Sequence, residues 1–379
     1  MNGPPQGLVI VGLSGGVDSA VAALQLVEQG CEVQGLFMSN WDEEDVYCTQ
    51  AQDYQDARAV ARLLGIPLHR ADFAADYRTR VFEYFLAEHR AGRTPNPDVL
   101  CNREVKFGVA LQYARRLGAR HFATGHYARL RQDSAGVQLL KAVDAGKDQT
   151  YFLHAVQPAD LACALMPLGG YTKIQVRERA RAAGLPVFDK PDSTGICFIG
   201  ERPFREFLRQ YLEETPGPIE SPRGERLGTH CGLPFYTLGQ RAGLGLGGRR
   251  DSETTPWYVA AKDPSRNVLV AVQGHDHPLL CARELQCENL HWLVAPPAGA
   301  LRCTVRVRHR HTDQPAVLHP EADGSARVLF DEPQRALTPG QFAVAYDGDL
   351  CLGGGTICTV SSGLMSVAAC SEPRSARQQ

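Results

Sequence analysis

The chain has 379 residues, 44% apolar and 22% charged, with a formal net charge of −2. That length suits two or three domains, and the composition is that of an ordinary soluble globular protein. No apolar run approaches the ~20 residues a membrane helix needs, and the balanced charge excludes a blanket attraction to nucleic acid, so any RNA binding must come from local basic patches.

In chain order, Met1-Asn2-Gly3-Pro4-Pro5 has neither a signal-peptide nor a transit-peptide pattern, and a cytoplasmic location is expected. Leu8-Val9-Ile10-Val11 reads as a buried strand and Ala20 to Val27 as an amphipathic helix. Between them lies Ser14-Gly15-Gly16-Val17-Asp18-Ser19. A strand, a glycine turn and a helix N-terminus together make an anion site, because the backbone can approach a phosphate closely and the first-turn N–H groups point at it. Ser14 and Ser19 add hydroxyl donors, and Asp18 can hold Mg²⁺ beside the phosphates. No Gly-Lys-Ser/Thr ending follows, so this is not the loop that grips β- and γ-phosphates with its own lysine. SGGVDS resembles the pyrophosphate loop (PP-loop) of ATP pyrophosphatases, which cleave ATP between the α- and β-phosphates. A helix capped by Asp18 after a glycine turn is the plainer alternative.

Further strands are expected at Glu32–Met38, Pro67–Asp72 and Arg120–Thr124, and helices at Thr49–Leu64, Ala75–Arg90 and Glu104–Leu117. This alternation predicts an α/β fold with a doubly wound parallel sheet, whose ligands bind at the carboxyl ends of the strands. Thr172 is a good N-cap for a helix over Lys173–Ala183, and Arg202–Leu212 reads as another helix. Lys173, Arg177, Arg179 and Arg181 read as a solvated face of the first of these. After a glycine-rich stretch near 227–248, short strands at Trp257–Ala261, Val268–Val272, Leu301–Arg310, Ala326–Phe330 and Phe342–Tyr346 suggest a small C-terminal β-barrel. Alternation along Leu301–Arg310 puts Arg302, Arg306, Arg308 and Arg310 on one face, either a phosphate-binding stripe or a solvated sheet face. The expected organisation is a first domain over 1–165, a small mixed central domain over 166–245, a barrel over 246–362 and a polar tail over 363–379.

The 12 cysteines include no CxxC pair, which argues against a zinc ribbon or a thioredoxin-type motif. Gly274-His275-Asp276-His277 could supply metal ligands, but two histidines without nearby partners more often mark a turn, and no metal site is expected. Cys101, after Thr94-Pro95-Asn96-Pro97-Asp98, and Cys197, in Asp192-Ser193-Thr194-Gly195-Ile196-Cys197, read as loop-borne thiols flanked by hydrogen-bonding groups. From spacing alone they could equally be two more buried thiols.

The chain also carries GLSGGVDS, GLFMSNW, AGRTPNPDVLCN, ATGHY, GKDQTYFL, DSTGICFIGERPFREFL, TLGQRAGLG, GHDHP and CLGGG in order. From Gly7 to about Thr359 it resembles the bacterial tRNA-specific 2-thiouridylases, which thiolate the wobble uridine; the tail departs from that pattern. The resemblance implies a PP-loop domain, a small mixed central domain and a C-terminal β-barrel. It implies ATP binding by Gly12, Leu13, Ser14, Gly15, Gly16, Val17, Asp18, Ser19, Met38 and Gly125. Asn96, Pro97 and Asp98 would contact the target base, with Asp98 an acid/base. His126, Lys147, Asp148, Gln149, Arg308, His309 and Gln341 would contact tRNA. Cys197 would carry the persulfide sulfur and Cys101 would be its partner nucleophile. The implied cofactor is ATP with Mg²⁺. The implied partners are tRNA of the Lys, Glu and Gln type and a sulfur-relay protein or cysteine desulfurase. Apart from the resemblance, a monomer with no membrane partner is expected. The competing readings are a PP-loop synthetase acting on a small metabolite, which leaves Cys101 and Cys197 without a role, and a non-catalytic RNA-binding protein.

Overall fold

The computed structural model describes residues 5–41, 49–134, 136–192, 204–246, 255–362 and 365–366. A five-stranded sheet forms the first layer, in the order Leu68–Asp72, Val33–Ser39, Val9–Gly12, His121–Ala123, Ala164–Leu165, with every pairing parallel. Val9–Gly12 is central because Val9, Ile10 and Val11 are apolar throughout and fully buried. The chain leaves it to opposite sides, towards Val33–Ser39 and later towards His121–Ala123, so a crevice opens at its carboxyl end. The expected doubly wound α/β domain is therefore present.

Helix Val17–Glu28 follows that central strand directly, and helix Gln50–Leu64 ends at Gly65, which takes the left-handed conformation at φ 66°. Helix Lys173–Ala182 starts with a full capping box, Thr172 and Gln175 satisfying each other's backbone N–H groups. Its buried Val176 and Ala180 join the core formed by Val17, Val21 and Leu24, which fixes it against the helix that follows the phosphate loop.

Two parts of the barrel expectation are corrected. Strands Trp257–Asp263 and Val268–Gln273 do not enter the barrel but form a separate four-stranded sheet with Gly217–Glu220 and Arg226–His230. Val268–Gln273 runs parallel to Gly217–Glu220, with Leu269 opposite Ile219, and both side chains are fully buried. The barrel itself closes with six strands in the order Cys281–Trp292, Ala326–Arg335, Gln314–Pro320, Leu301–Arg306, Phe342–Asp347, Leu350–Ser362 and back to Cys281–Trp292. Its interior holds Leu285, Val305, Ala316, Val328, Phe330 and Ile357. A hairpin from the first part of the chain, Ala128–Asp133 with Gly136–Lys141, reaches the barrel through a Leu140–Leu350 pairing.

Candidate active site

The phosphate loop sits where the sheet topology places it. Gly15 has φ 78°, and a Cβ there would lie 2.3 Å from the Asp53 carbonyl, so only glycine fits. Gly16 is the N-cap of helix Val17–Glu28, and among the described residues no side chain caps that helix, which leaves its first-turn N–H groups open to a ligand. Asp18 is thus not a cap. The Ser14 and Ser19 hydroxyls lie 3.2 Å apart, and Ser19 donates to the Gly16 carbonyl. Leu13 and Val17 turn into the core and hold the loop from beneath.

The distant residues expected at the nucleotide site converge on this loop. A Cβ on Gly12 would meet Met38 Cε at 3.4 Å, and one on Gly125 would lie 2.7 Å from the Ser19 nitrogen. Gly125 is therefore pressed against the start of the phosphate-loop helix. His126 beside it is buried and hydrogen-bonded to Thr124 through Nδ1 at 2.8 Å. Burial, reinforced by Lys106, holds its pKa well below the usual imidazole value, so it is neutral.

Asp18 has partners that its sequence neighbourhood does not disclose. Lys173 Nζ lies 2.7 and 2.8 Å from its two carboxylate oxygens, and the Tyr127 hydroxyl donates to it at 2.8 Å. Tyr127 is pushed far above the usual phenol value, first by burial and then by Asp18. The expectation that Lys173 and Arg177 lie on a solvated face is corrected. Lys173 is only 12% exposed, and with Arg177 and Lys147 it surrounds Asp192 at 2.6–2.9 Å. Burial raises the Asp192 pKa, but hydrogen bonds from Lys147 and Lys173 outweigh it and bring the carboxyl down to about 2. Lys190 reaches the Gly15 carbonyl at 3.0 Å, Asp53 at 2.7 Å and Asp56 at 2.5 Å. The signal for Lys173 was its place at the first helical position after the Thr172 cap; nothing local marked Lys190.

The residues expected to meet the base and the RNA form a connected group beside this site. Asn96 Oδ1 accepts from the Asp98 N–H and, with Pro97 at the first helical position, starts a helix at Pro97–Leu100. The helical run continues through Cys101–Ala110 and Leu111–Arg116. Cys101 is consequently helical and fully buried, not loop-borne. Asn-Pro before an apolar turn was the overlooked start signal. Asn102 Nδ2 donates to the Asp98 carbonyl at 3.1 Å and to the Phe152 carbonyl at 3.4 Å. The Phe152 ring packs against His309 with centroids 4.2 Å apart, and His309 Nε2 lies 3.0 Å from the Asp148 carbonyl. Gln149 accepts from the Tyr127 N–H at 2.9 Å, so this group is tied to the tyrosine that holds Asp18.

Several side chains in the group face inward. Asp148 is buried, accepting from Ala142 N, Thr150 and Arg306. Arg308 donates to the carbonyls of Leu238 and Ala336 and to Thr338. Gln341 donates to the Thr94 carbonyl at 2.8 Å. The single arginine face expected along the strand is corrected too: Arg306 is buried between Asp148 and Asp313, Arg302 is exposed but paired with Asp331, and Arg310 lies beyond the strand end. His277 accepts from the Leu279 N–H in a short turn. Cys197 lies outside the described residues, as does the rest of 193–203.

Three family models match: a tRNA methyl transferase HUP domain over 7–201, a tRNA methyl transferase PRC-barrel domain over 205–273 and an aminomethyltransferase beta-barrel domain over 282–357. The chain is 56% identical over 352 residues to the tRNA-specific 2-thiouridylase MnmA of Chromohalobacter salexigens, covering 92% of each chain. It is 53% identical over 364 residues to that of Burkholderia thailandensis, covering 94% of each. A solved 4-thiouridine synthetase–RNA complex with bound ATP is 19% identical with a TM-score of 0.33 over 54% of this chain and 50% of that one, a likeness too remote to bear on function. At that identity and coverage of the thiouridylases, the chain belongs to the tRNA-specific 2-thiouridylase family.

Proposed function

We propose that this protein catalyses the ATP-dependent 2-thiolation of the wobble uridine of tRNA. The observation that carries the reading is the joining of two halves: a phosphate loop assembled with Gly12, Met38 and Gly125, and the Asn96–Asp98, Lys147–Gln149 and His309 group, linked through Gln149, Tyr127 and Asp18. Two of the matching models are described as methyl transferase domains. The loop favours thiolation, because methyl transfer from a sulfonium donor needs no activation by α,β-cleavage of a nucleotide.

The chemistry follows from the poor leaving ability of the uridine C2 oxygen. That oxygen attacks the α-phosphorus of ATP, pyrophosphate departs with the electron pair of the broken bond, and Asp98 takes the ring N3 proton. Helix N–H groups and the serine hydroxyls of the loop bind the phosphates. Asp18 supplies the hard oxygen that would hold Mg²⁺, which when bound neutralises phosphate charge. A persulfide on Cys197 then attacks C2 and expels AMP. The Cys101 thiolate attacks the Cys197 sulfur, leaving 2-thiouridine and a Cys101–Cys197 disulfide that an external dithiol must reduce. Because Cys101 is fully buried, this reading requires the Asn96–Cys101 turn to open when RNA docks.

The finer parts of the proposal are a sulfur-relay protein or cysteine desulfurase as donor, tRNAs of the Lys, Glu and Gln type as substrates, a monomeric enzyme and a cytoplasmic location. No helix among the described residues is long and apolar enough to cross a membrane. Mass spectrometry of tRNA from cells lacking the protein tests the function: the wobble uridine should lose its sulfur, and a fully thiolated wobble position would refute the assignment.

A further inference from the structure

The loop has no lysine of its own, yet two lysines distant in sequence converge on it. We infer that Lys173 and Lys190 grip the pyrophosphate half of the nucleotide and stabilise it as it leaves, and that Asp18, Asp53, Asp56 and Asp192 hold these two ammoniums in place until it binds. The inference rests on the ATP-dependent reading above. Lys173 Nζ lies 2.7 Å from Asp18 and 2.7 Å from Asp192. Lys190 Nζ lies 3.0 Å from the Gly15 carbonyl, which anchors it on the turn itself. The two thus flank the loop, one at the first turn of its helix and one at its glycines.

Cations already held by partners are still suited to this task. Carboxylates carry one charge each, whereas the pyrophosphate half of ATP carries two or more and offers several acceptor oxygens. Exchange onto phosphate therefore strengthens each charge-assisted contact and frees Asp18 for Mg²⁺. Burial lowers the Lys190 pKa, but its hydrogen bonds to Asp53 and Asp56 raise it overall, so the ammonium is present throughout the neutral range. The helix bearing Lys173 is fixed on the phosphate-loop helix through Val176 and Ala180, so the ammonium is pre-positioned. In the adenylation step a bond forms from the uridine C2 oxygen to the α-phosphorus. The bond from that phosphorus to the oxygen bridging the β-phosphate breaks, and its electron pair goes to pyrophosphate; the N3 proton goes to the general base. Two ammoniums at the departing oxygens oppose that growing charge.

The test is equilibrium binding of Mg²⁺-pyrophosphate, ATP and AMP to the full chain, with Lys173→Met and Lys190→Met made separately and each checked for folding by thermal unfolding. Each variant should bind pyrophosphate and ATP at least tenfold more weakly and AMP within twofold of the parent. Lysine acylation of the unmodified protein, mapped by mass spectrometry, provides a readout that needs no variant: pyrophosphate, but not AMP, should slow reaction at Lys173 and Lys190. Unchanged pyrophosphate affinity in both folded variants would overturn the inference. So would unchanged acylation, or a loss of tRNA affinity with pyrophosphate affinity intact, which would make the lysines contacts to RNA phosphates. If the parent binds no ATP at all, the functional reading itself fails; if parent and variants bind ATP equally, only this assignment does.

Discussion

Arg306 Nη1 lies 2.7 Å from Asp148 Oδ2, and the two side chains are only 9% and 2% exposed. The contact joins the C-terminal barrel to the segment between the Ala128–Lys141 hairpin and helix Thr150–Leu153. Arg306 also pairs with Asp313, Lys141 pairs with Asp313, and both cations lie over the Tyr346 ring. This buried network, not a phosphate stripe, is what the arginine at that register serves.

Removing one partner of a buried pair strands the other, so Asp148→Ala and Arg306→Ala should each cost about 3–5 kcal/mol of stability. Denaturant unfolding measures this. An exposed phosphate contact at Arg306 would instead leave stability nearly intact and lower the salt slope of tRNA binding by about 0.7–0.9. At temperatures where Arg306→Ala is folded, its salt slope should match the parent's.

Asp18 contributes one of the two carboxylates at Lys173, and Asp192 remains when it is lost. Asp18→Ala should therefore stay folded, losing about 1 kcal/mol, but should form no AMP from ATP with unmodified tRNA. Thin-layer separation of labelled nucleotide reads the second outcome. Normal AMP formation would remove Asp18 from the nucleotide site.

Cys101 offers a test of opening. In the free protein it should react with iodoacetamide far more slowly than the half-buried Cys31 and Cys163. Adding tRNA should speed its alkylation at least severalfold. Cys101→Ser should still accept sulfur on Cys197 but fail to complete thiolation, whereas Cys197→Ser should accept none. Trapped sulfur on Cys101 and never on Cys197 would reverse the roles.

Lys262 is a buried ammonium donating to the Gly92 carbonyl at 2.9 Å, and burial lowers its pKa to about 7. Its unfolded pKa is about 10.4, so between pH 7 and 10 the unfolded chain binds more protons and stability rises with pH. The rise from pH 7 to pH 9 should be on the order of 2 kcal/mol. It should be absent in Lys262→Met, so the difference between the two unfolding curves isolates it. A parallel pH dependence in both proteins would mean that the lysine titrates normally.

What could be read in the sequence was whatever local pattern dictates. The strand, glycine turn and helix of the phosphate loop, and the Thr172 cap, are set by neighbours within a few residues and stand as expected. What could not be read depends on partners far along the chain. Lys173 and Arg177 look solvated on a helical wheel, because nothing nearby shows that Asp18 and Asp192 lie against them. Arg306 alternates with buried Val305 and Val307, yet its own face is covered by Asp148. Trp257–Asp263 and Val268–Gln273 have the same alternation as the barrel strands, and only their pairing with Gly217–Glu220 assigns them to another sheet. Met38 could be placed at the carboxyl end of its strand and Gly12 lies beside the loop in the chain, whereas the approach of Gly125 to the loop was implied by the family resemblance alone.

The central claim is that adenylation by this chain serves tRNA thiolation. The direct measurement combines purified protein, labelled ATP, unmodified substrate tRNA and a persulfide-loaded sulfur donor, and counts AMP, pyrophosphate and 2-thiouridine together. AMP and 2-thiouridine should appear in equal amounts, both dependent on tRNA, with the sulfur mapped to the wobble position. AMP formed to the full extent without tRNA, or 2-thiouridine formed without AMP, would contradict the account.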